Sequence, residues 1–376
     1  MYRGVVHITF VIFGASGDLT SRKLIPAFNN LCEQGVLPKD FKIIAIGRRD
    51  LAENYKDGLK PELAAAITYH RMDFSISEQY KSLESLLTGN ILFFLSVAPE
   101  FYASIAKNIA HISNSKIILE KPFGYDLQSA KDLNNEITKY FKEENIYRID
   151  HYLGKDAVRG LPKINREEVS HIQITAKETL GIEGRGPFYE KAGALRDMVQ
   201  NHIMEIIAGL LREDGEDIRI QKSLALKTLE VLESVRGQYK TYRHEDRVSK
   251  TSTIETYVAL KLVSKELPIY VRTGKKLDVK QTTVYIKYKN GEEETFNLQI
   301  GNKGNGYEKL ILNSLKGDPS LFIPFQTLET TWSLLTPLLK TWESGLESKT
   351  LVFYEDYSEG PSEANELIER DGLKWI

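Results

Sequence analysis

The chain has 376 residues, a length that accommodates two domains. Lys and Arg number 50 against 52 Asp and Glu, a formal net charge of -2, so the basic excess of a nucleic-acid footprint is absent. The 41% hydrophobic and 27% charged residues are those of a globular protein, and a single cysteine, Cys32, excludes an intrachain disulfide and fits a reducing cytoplasm.

Residues 5–13 read as a strand buried on both faces. The apolar run stops at Gly14, far short of the ~20 residues of a membrane span. No charged stretch with a cleavage site marks a signal peptide. The turn Gly14-Ala15-Ser16-Gly17-Asp18-Leu19 leads into a helix to about Gln34; Gly35 ends it and Pro38 prevents its resumption. Cys32 falls on the apolar stripe of that helix, a buried position. Residues 41–46, 91–96 and 116–119 are further strands, with helices near 78–87, 100–110 and 127–141 between them. Alternating strand and helix predicts a doubly wound parallel sheet over residues 1–150. The pattern then changes. Residues 169–177 alternate like a half-exposed strand, 192–211 read as one long helix, and 254–263, 267–272, 282–288 and 295–300 read as strands on short connections. Lys303-Gly304-Asn305-Gly306 is a loop, and helices carrying Trp332 and Trp342 follow. The second domain, 151–376, is expected to be α+β with a mainly antiparallel sheet.

A strand, Gly14-x-x-Gly17 and a helix form a dinucleotide-binding arrangement, in which Gly14, Ala15, Ser16, Gly17, Asp18 and Leu19 would bring backbone N–H groups to a pyrophosphate. A plain tight turn is the simpler alternative. At the end of the second strand, Gly47-Arg48-Arg49 stands where an acid would select NAD, so Arg48 favours the 2′-phosphate of NADP, with NAD at lower preference. Asp50 or Glu53 as a ribose partner stays open. Ser96 and Pro99 close the strand 91–96 at the carboxyl edge of the sheet, where a cofactor lies. Lys121, in Glu120-Lys121-Pro122-Phe123-Gly124, ends the next strand and would face cofactor and substrate, its backbone fixed by Pro122 through a cis bond.

The run Arg148-Ile149-Asp150-His151-Tyr152-Leu153-Gly154-Lys155 is unusually rich in chemistry. His151, Tyr152 and Lys155 are donors that a phosphate requires, while Asp150 is better suited to an imidazole. His202 lies on the inward stripe Leu195, Met198, Val199, His202, Ile206 and Leu210. A satisfied core histidine is the simpler reading, but Asp197 and Asn201 flank it, and a His held by a carboxylate is a general base. Lys275 and Lys280 add charge around a phosphate, or form a basic surface turn.

These pieces resemble the glucose-6-phosphate dehydrogenase family. The resemblance rests on Gly-Ala-Ser-Gly-Asp-Leu-Thr at 14–20, Glu-Lys-Pro-Phe-Gly at 120–124 and Arg-Ile-Asp-His-Tyr-Leu-Gly-Lys at 148–155. Ala-Gly-Ala-Leu-Arg-Asp-Met-Val-Gln-Asn-His at 192–202 and Tyr-Val-Arg-Thr-Gly-Lys-Lys at 270–276 complete it, in the family's order. It implies a Rossmann domain followed by a substrate domain, and oxidation of β-D-glucose 6-phosphate at C1 by NADP, the first step of the oxidative pentose phosphate pathway. His202 would be the base and Asp150 its partner; His151, Tyr152 and Lys155 would hold the phosphate. Lys275 and Lys280 would lie near sugar and phosphate, and Lys121, Glu178 and Asp197 would bind sugar hydroxyls. No metal is required, because hydride transfer needs alignment and a base. The chain is shorter than the family, with a reduced number of sheet strands, which leaves open a homodimer and a second, structural NADP site. A dehydrogenase for another hexose phosphate and a non-catalytic sensor of NADP(H) or phosphosugar are the competing readings; an intact Asp150, His202 and Lys121 argue against the sensor.

Overall fold

A computed structural model describes residues 7–51, 55–299, 306–344 and 351–376. Val5, Val6, Glu53, Ile300 and residues 303–305, which entered the sequence reading, lie outside them. The chain divides into two compact units. The first takes residues 1–124, 128–156 and 303–325, and the second takes 125–127, 157–302 and 326–376. This differs from a single boundary at residue 150. The physical reason is the helix Tyr307–Lys316, whose Tyr307, Leu310, Ile311 and Leu315 enter the same core as Phe10, Phe28 and Phe94. An amphipathic helix announces that it has an apolar face, but not which distant sheet that face will cover.

In the first unit, strands β1 (Ile8–Phe13), β2 (Phe41–Gly47), β3 (Ile67–Arg71), β4 (Asn90–Leu95), β5 (Ser115–Leu119) and β6 (Ile146–Arg148) form one parallel sheet in the order β3-β2-β1-β4-β5-β6. β1 is buried at every position, which is why it reads as an unbroken apolar run. Phe10 meets Phe28 edge-on at 5.1 Å, a contact that adds ~1 kcal/mol to the burial of the two rings. The short edge strand β3, Ile-Thr-Tyr-His-Arg, carries too little apolar signal to be legible in the sequence. Strand order reverses between β1 and β4, so a crevice opens beyond their carboxyl ends.

The second unit holds β7 (Val169–Lys177), β8 (Leu229–Tyr239), β9 (Tyr257–Ser264), β10 (Leu267–Gly274), β11 (Gln281–Tyr288), β12 (Glu293–Asn297) and β13 (Leu351–Tyr354), in the order β12-β11-β7-β10-β9-β8-β13. β7 with β10 and β8 with β13 are parallel; the other pairs are antiparallel, as the mainly antiparallel expectation requires. β7 is not half-exposed. Its polar residues are covered by the end of the chain: Gln173 Nε2 donates to the Lys374 carbonyl at 3.0 Å, and the Ile376 N–H donates to Gln173 Oε1 at 3.0 Å. The expected single helix over 192–211 is also corrected. Gly193 breaks it with φ 67, Leu195–Ile203 is wound as a π-helix, and Met204–Leu211 returns to α. Among the described residues no helix is long and apolar enough to cross a membrane.

Candidate functional site

In the first unit the glycine turn closes β1. The N–H groups of Gly14 and Ala15 both donate to the Ile46 carbonyl, at 3.0 and 2.8 Å, and Gly17 N–H donates to the Gly14 carbonyl at 3.0 Å. Gly14 has φ 89, and a Cβ there would collide with the Ser96 carbonyl, so only glycine fits. Thr20 Oγ1 donates to the Gly14 carbonyl at 2.9 Å and to Ser96 Oγ at 3.1 Å, tying the turn to the end of β4. Ser96 is thereby part of the support of the turn. Asp18 pairs with Arg22 at 2.6 Å on the exposed first turn of the helical segment, and Leu19 packs toward the core. Pro99 opens the short helix Pro99–Phe101 after β4. Sequence reading missed the brace beneath this turn. Tyr55 donates to the Ala15 carbonyl at 3.2 Å and packs on Tyr69, whose hydroxyl donates to the Arg49 carbonyl at 2.6 Å.

Arg48 is exposed after β2, its guanidinium 5.5 Å from the Phe74 ring centre. Asp50, the acid left open as a ribose partner, is bonded by Arg71 at 3.2 Å. The carboxyl ends of β2 and β3 thus carry Arg48, Arg49 and Arg71 around one engaged acid. The backbone turns and this local positive charge suit a phosphate-bearing dinucleotide.

Lys121 follows β5, and the Lys121–Pro122 bond is cis. Gly124, with φ 82, lies so close to the Ala130 backbone nitrogen (2.5 Å from an added Cβ) that a side chain would not fit. Glu120 is buried, and burial raises its carboxyl to about 8, while a hydrogen bond from Tyr307 and the nearby Lys121 lower it in part. Its Oε1 has no hydrogen-bond partner among the described residues. The segment after β6 is a chain of tight turns: Leu153 N–H donates to the Asp150 carbonyl, Gly154 to His151 and Lys155 to Tyr152, at 3.0, 3.2 and 3.0 Å. Asp150 is 1% exposed, and its Oδ1 accepts from the Tyr152 N–H at 2.9 Å. His151 lies edge-on to Tyr152 at 5.2 Å and parallel to Tyr307 at 6.4 Å, and Lys155 Nζ sits 3.6 Å over the Tyr152 ring. A Cβ on Gly154 would overlap the Gly306 carbonyl, so this turn rests directly on the start of the helix Tyr307–Lys316. Tyr307 is therefore a site-supporting residue for which the sequence offered no signal. Arg148, by contrast, serves the fold: it donates to Glu143 at 2.6 and 3.0 Å and to Asn134 at 2.6 Å.

In the second unit, His202 is 2% exposed on the π-helix. Its own N–H donates to Asn201 Oδ1 at 2.6 Å, and Asn201 Nδ2 donates to the Arg196 carbonyl at 3.0 Å. The winding matters for Asp197. On an α-helix, residues five apart point roughly 140° away from each other. An i→i+5 winding brings them toward one side, which favours joint use of Asp197 and His202. Lys275 follows β10, buried, with its Nζ bonded to Glu178 Oε2 and 3.6 Å from Asp197 Oδ2. Glu178 follows β7, the parallel neighbour of β10, so two strand ends present the Glu178–Lys275–Asp197 cluster. Two carboxylates around one ammonium suit hydroxyl groups, which both donate and accept, better than a phosphate. Lys280 is exposed on the β10–β11 connection, and the cluster does not include it.

A doubly wound parallel sheet with a glycine turn at its switch point, followed by a sheet unit bearing a buried histidine among acid and lysine side chains, defines an oxidoreductase that uses a nicotinamide dinucleotide. Residues 11–160 match the model of the glucose-6-phosphate dehydrogenase NAD binding domain, and residues 161–305 and 297–376 match that of the C-terminal domain. The chain belongs to the glucose-6-phosphate dehydrogenase family. The glucose-6-phosphate 1-dehydrogenase of Bacillus subtilis (strain 168) is 33% identical over 481 aligned positions that take in 97% of each chain. Since that alignment is longer than the 376 residues here, the relative has internal stretches that this chain lacks. A solved glucose-6-phosphate dehydrogenase in complex with its substrate glucose-6-phosphate superposes with TM-score 0.89 at 25% identity, covering 100% of both chains. The solved glucose-6-phosphate 1-dehydrogenase from Mycobacterium avium gives 0.86 at 27% identity, covering 98% of this chain and 99% of its own.

Proposed function

We propose that this chain oxidises β-D-glucose 6-phosphate at C1 to 6-phospho-D-glucono-1,5-lactone with NADP as acceptor, the entry to the oxidative pentose phosphate pathway in a reducing cytoplasm. The observation that carries the reading is the buried π-helix that bears Asp197 and His202 beside the Glu178–Lys275 pair. A base and a set of hydroxyl-binding groups held on packed neighbouring elements are what oxidation of a polyol carbon requires.

His202, as neutral imidazole, takes the proton of the C1 hydroxyl as the C1–H bond breaks. Asp150 holds the tautomer of His202 and stabilises its charged form. When bound, the dinucleotide supplies the two-electron acceptor for the hydride that leaves C1. His151, Tyr152 and Lys155 bind the phosphate: the consecutive turns over 150–155 fix their order, and the Tyr152 ring under Lys155 limits the freedom of the ammonium. Lys121, Glu178 and Asp197 bind sugar hydroxyls. Lys275 bridges the two carboxylates and offers its charge to the sugar and phosphate, while Lys280, being exposed, adds positive charge toward the phosphate. Arg48, Arg49 and Arg71 at the carboxyl ends of β2 and β3 support NADP over NAD, because they bring more positive charge there than Asp50 balances.

The test is a comparison of rates of reduced-cofactor formation with glucose, galactose, mannose and glucosamine 6-phosphates, each with NADP and with NAD. Glucose 6-phosphate with NADP should have the highest kcat/KM. A higher kcat/KM for another hexose phosphate would overturn the substrate, and no turnover with tight cofactor binding would overturn the enzyme reading.

A further inference from the structure

Glu255, just ahead of β9, is 3% exposed and lies outside every motif used above. Burial raises its carboxyl above the ordinary value, partly offset by backbone hydrogen bonds and by Arg196 and Arg236. It sits at the start of the π-helix. Glu255 Oε1 accepts from the Leu195 N–H at 3.0 Å, and the Glu255 carbonyl accepts from the Ala194 N–H at 3.0 Å. Two of the N–H groups that a helix start leaves unpaired are thus taken by one residue. Gly193 turns the chain into this arrangement with φ 67, and a Cβ on it would overlap Glu255 Oε1. The glycine and the acid are therefore one device.

The next residue extends it. The Lys275 N–H donates to the Thr256 carbonyl at 3.0 Å, and the Lys275 carbonyl accepts from the Tyr354 hydroxyl at 2.7 Å. Thr256 Oγ1 accepts from the Tyr239 N–H at 3.0 Å and lies 2.9 Å from the Tyr354 hydroxyl. Two consecutive residues thus hold both the start of the His202 helix and the backbone of Lys275. At its far side the helix is fixed by Gln200 Nε2 donating to Thr331 Oγ1 at 3.0 Å.

We propose that Glu255 is a positioning residue for the reaction: as an acceptor it sets the rotation and height of the π-helix, and with Thr256 it locks Asp197 and His202 in step with Lys275. This rests on the reading of His202 as the base. Glu255 touches none of the reacting atoms in this account, so its loss should lower kcat through misplacement, since a displacement of about 1 Å can cost ~10²-fold.

The experiment compares Glu255→Ala, Glu255→Gln, Glu255→Asp, Gly193→Ala and His202→Asn in the full chain, with kcat, KM for both substrates and the pH profile of kcat/KM. Glu255→Ala should lose ~10–100-fold in kcat with KM for NADP unchanged, and the acid limb of its profile should move. Glu255→Gln, which keeps the acceptor oxygen, should stay within about threefold of the parent. Gly193→Ala, which displaces the same carboxyl and also strains the backbone at φ 67, should lose at least as much as Glu255→Ala; if Glu255→Ala does not fold, Glu255→Asp, which withdraws the acceptor by one methylene, decides the matter, a loss supporting the role and full activity overturning it. Full activity of Glu255→Ala with an inactive His202→Asn overturns the positioning role alone. Equal losses in Gln and Ala overturn the acceptor role. An active His202→Asn overturns the underlying reading instead.

Discussion

Replacement of Glu120 by Gln tests the buried acid beneath the 148–155 segment. Burial raises the Glu120 carboxyl from 4.5 to about 8, and the residue is only 8% exposed, so solvent screening weakens the effect little. The folded chain therefore keeps a proton that the unfolded chain releases above its ordinary value. The stability contributed by the neutral acid is fully present below pH 4.5 and declines as the pH rises, the loss being complete once pH passes about 8. At ~1.4 kcal/mol per unit, the span from 4.5 to about 8 corresponds to ~5 kcal/mol, a large share of the ~5–15 kcal/mol that holds a domain. Gln is nearly isosteric, keeps an oxygen for the Tyr307 hydroxyl and never ionises. Urea unfolding of parent and Glu120→Gln at pH 5 and pH 9 should give similar midpoints at the lower pH and a clearly higher midpoint for the variant at the upper one. A difference independent of pH would refute the reasoning, because it would mean that ionisation of this carboxyl is not coupled to folding.

Two further outcomes concern binding. Arg48→Ala should weaken NADP by ~10–100-fold, the worth of a lost charge-assisted contact, and leave NAD nearly unchanged; titration of each cofactor checks this, and equal losses would count against the 2′-phosphate assignment. Lys155→Ala should raise KM for glucose 6-phosphate by ~10–100-fold while the weak use of free glucose is unaltered, which steady-state kinetics on both sugars would reveal.

Much of the first unit was legible because buried parallel strands write themselves as apolar runs, and because Gly14 and Gly124, both at positive φ, are demanded by collisions with neighbouring backbone that a side chain would not avoid. β3 and β8 were missed for the opposite reason: Ile67–Arg71 is short and polar, and the alternation of Leu229–Tyr239 is broken where Leu232 follows Val231, at a shift of register against β9, so tertiary pairing rather than local pattern makes them strands. The candidate residues were readable as types, but not their supports. Tyr307 reaches Glu120 from far along the chain, and Glu255 reaches the Leu195 N–H across 60 positions of sequence. The π winding of Leu195–Ile203 was invisible too, because its apolar stripe also satisfies an α-helix. The partners of Arg148 and Lys275 were equally unannounced: Arg148 is bonded to Glu143 and Asn134, and Lys275 is bonded to Glu178 and lies near Asp197.

The most direct measurement of the central claim is the turnover of glucose 6-phosphate with NADP by the parent chain and by His202→Asn, followed as formation of the reduced cofactor across pH. The variant is expected to lose ~10²–10⁴-fold in kcat, with modest change in either KM and with the acid limb of the profile gone. An unchanged kcat, or a profile that keeps its acid limb, would contradict that claim.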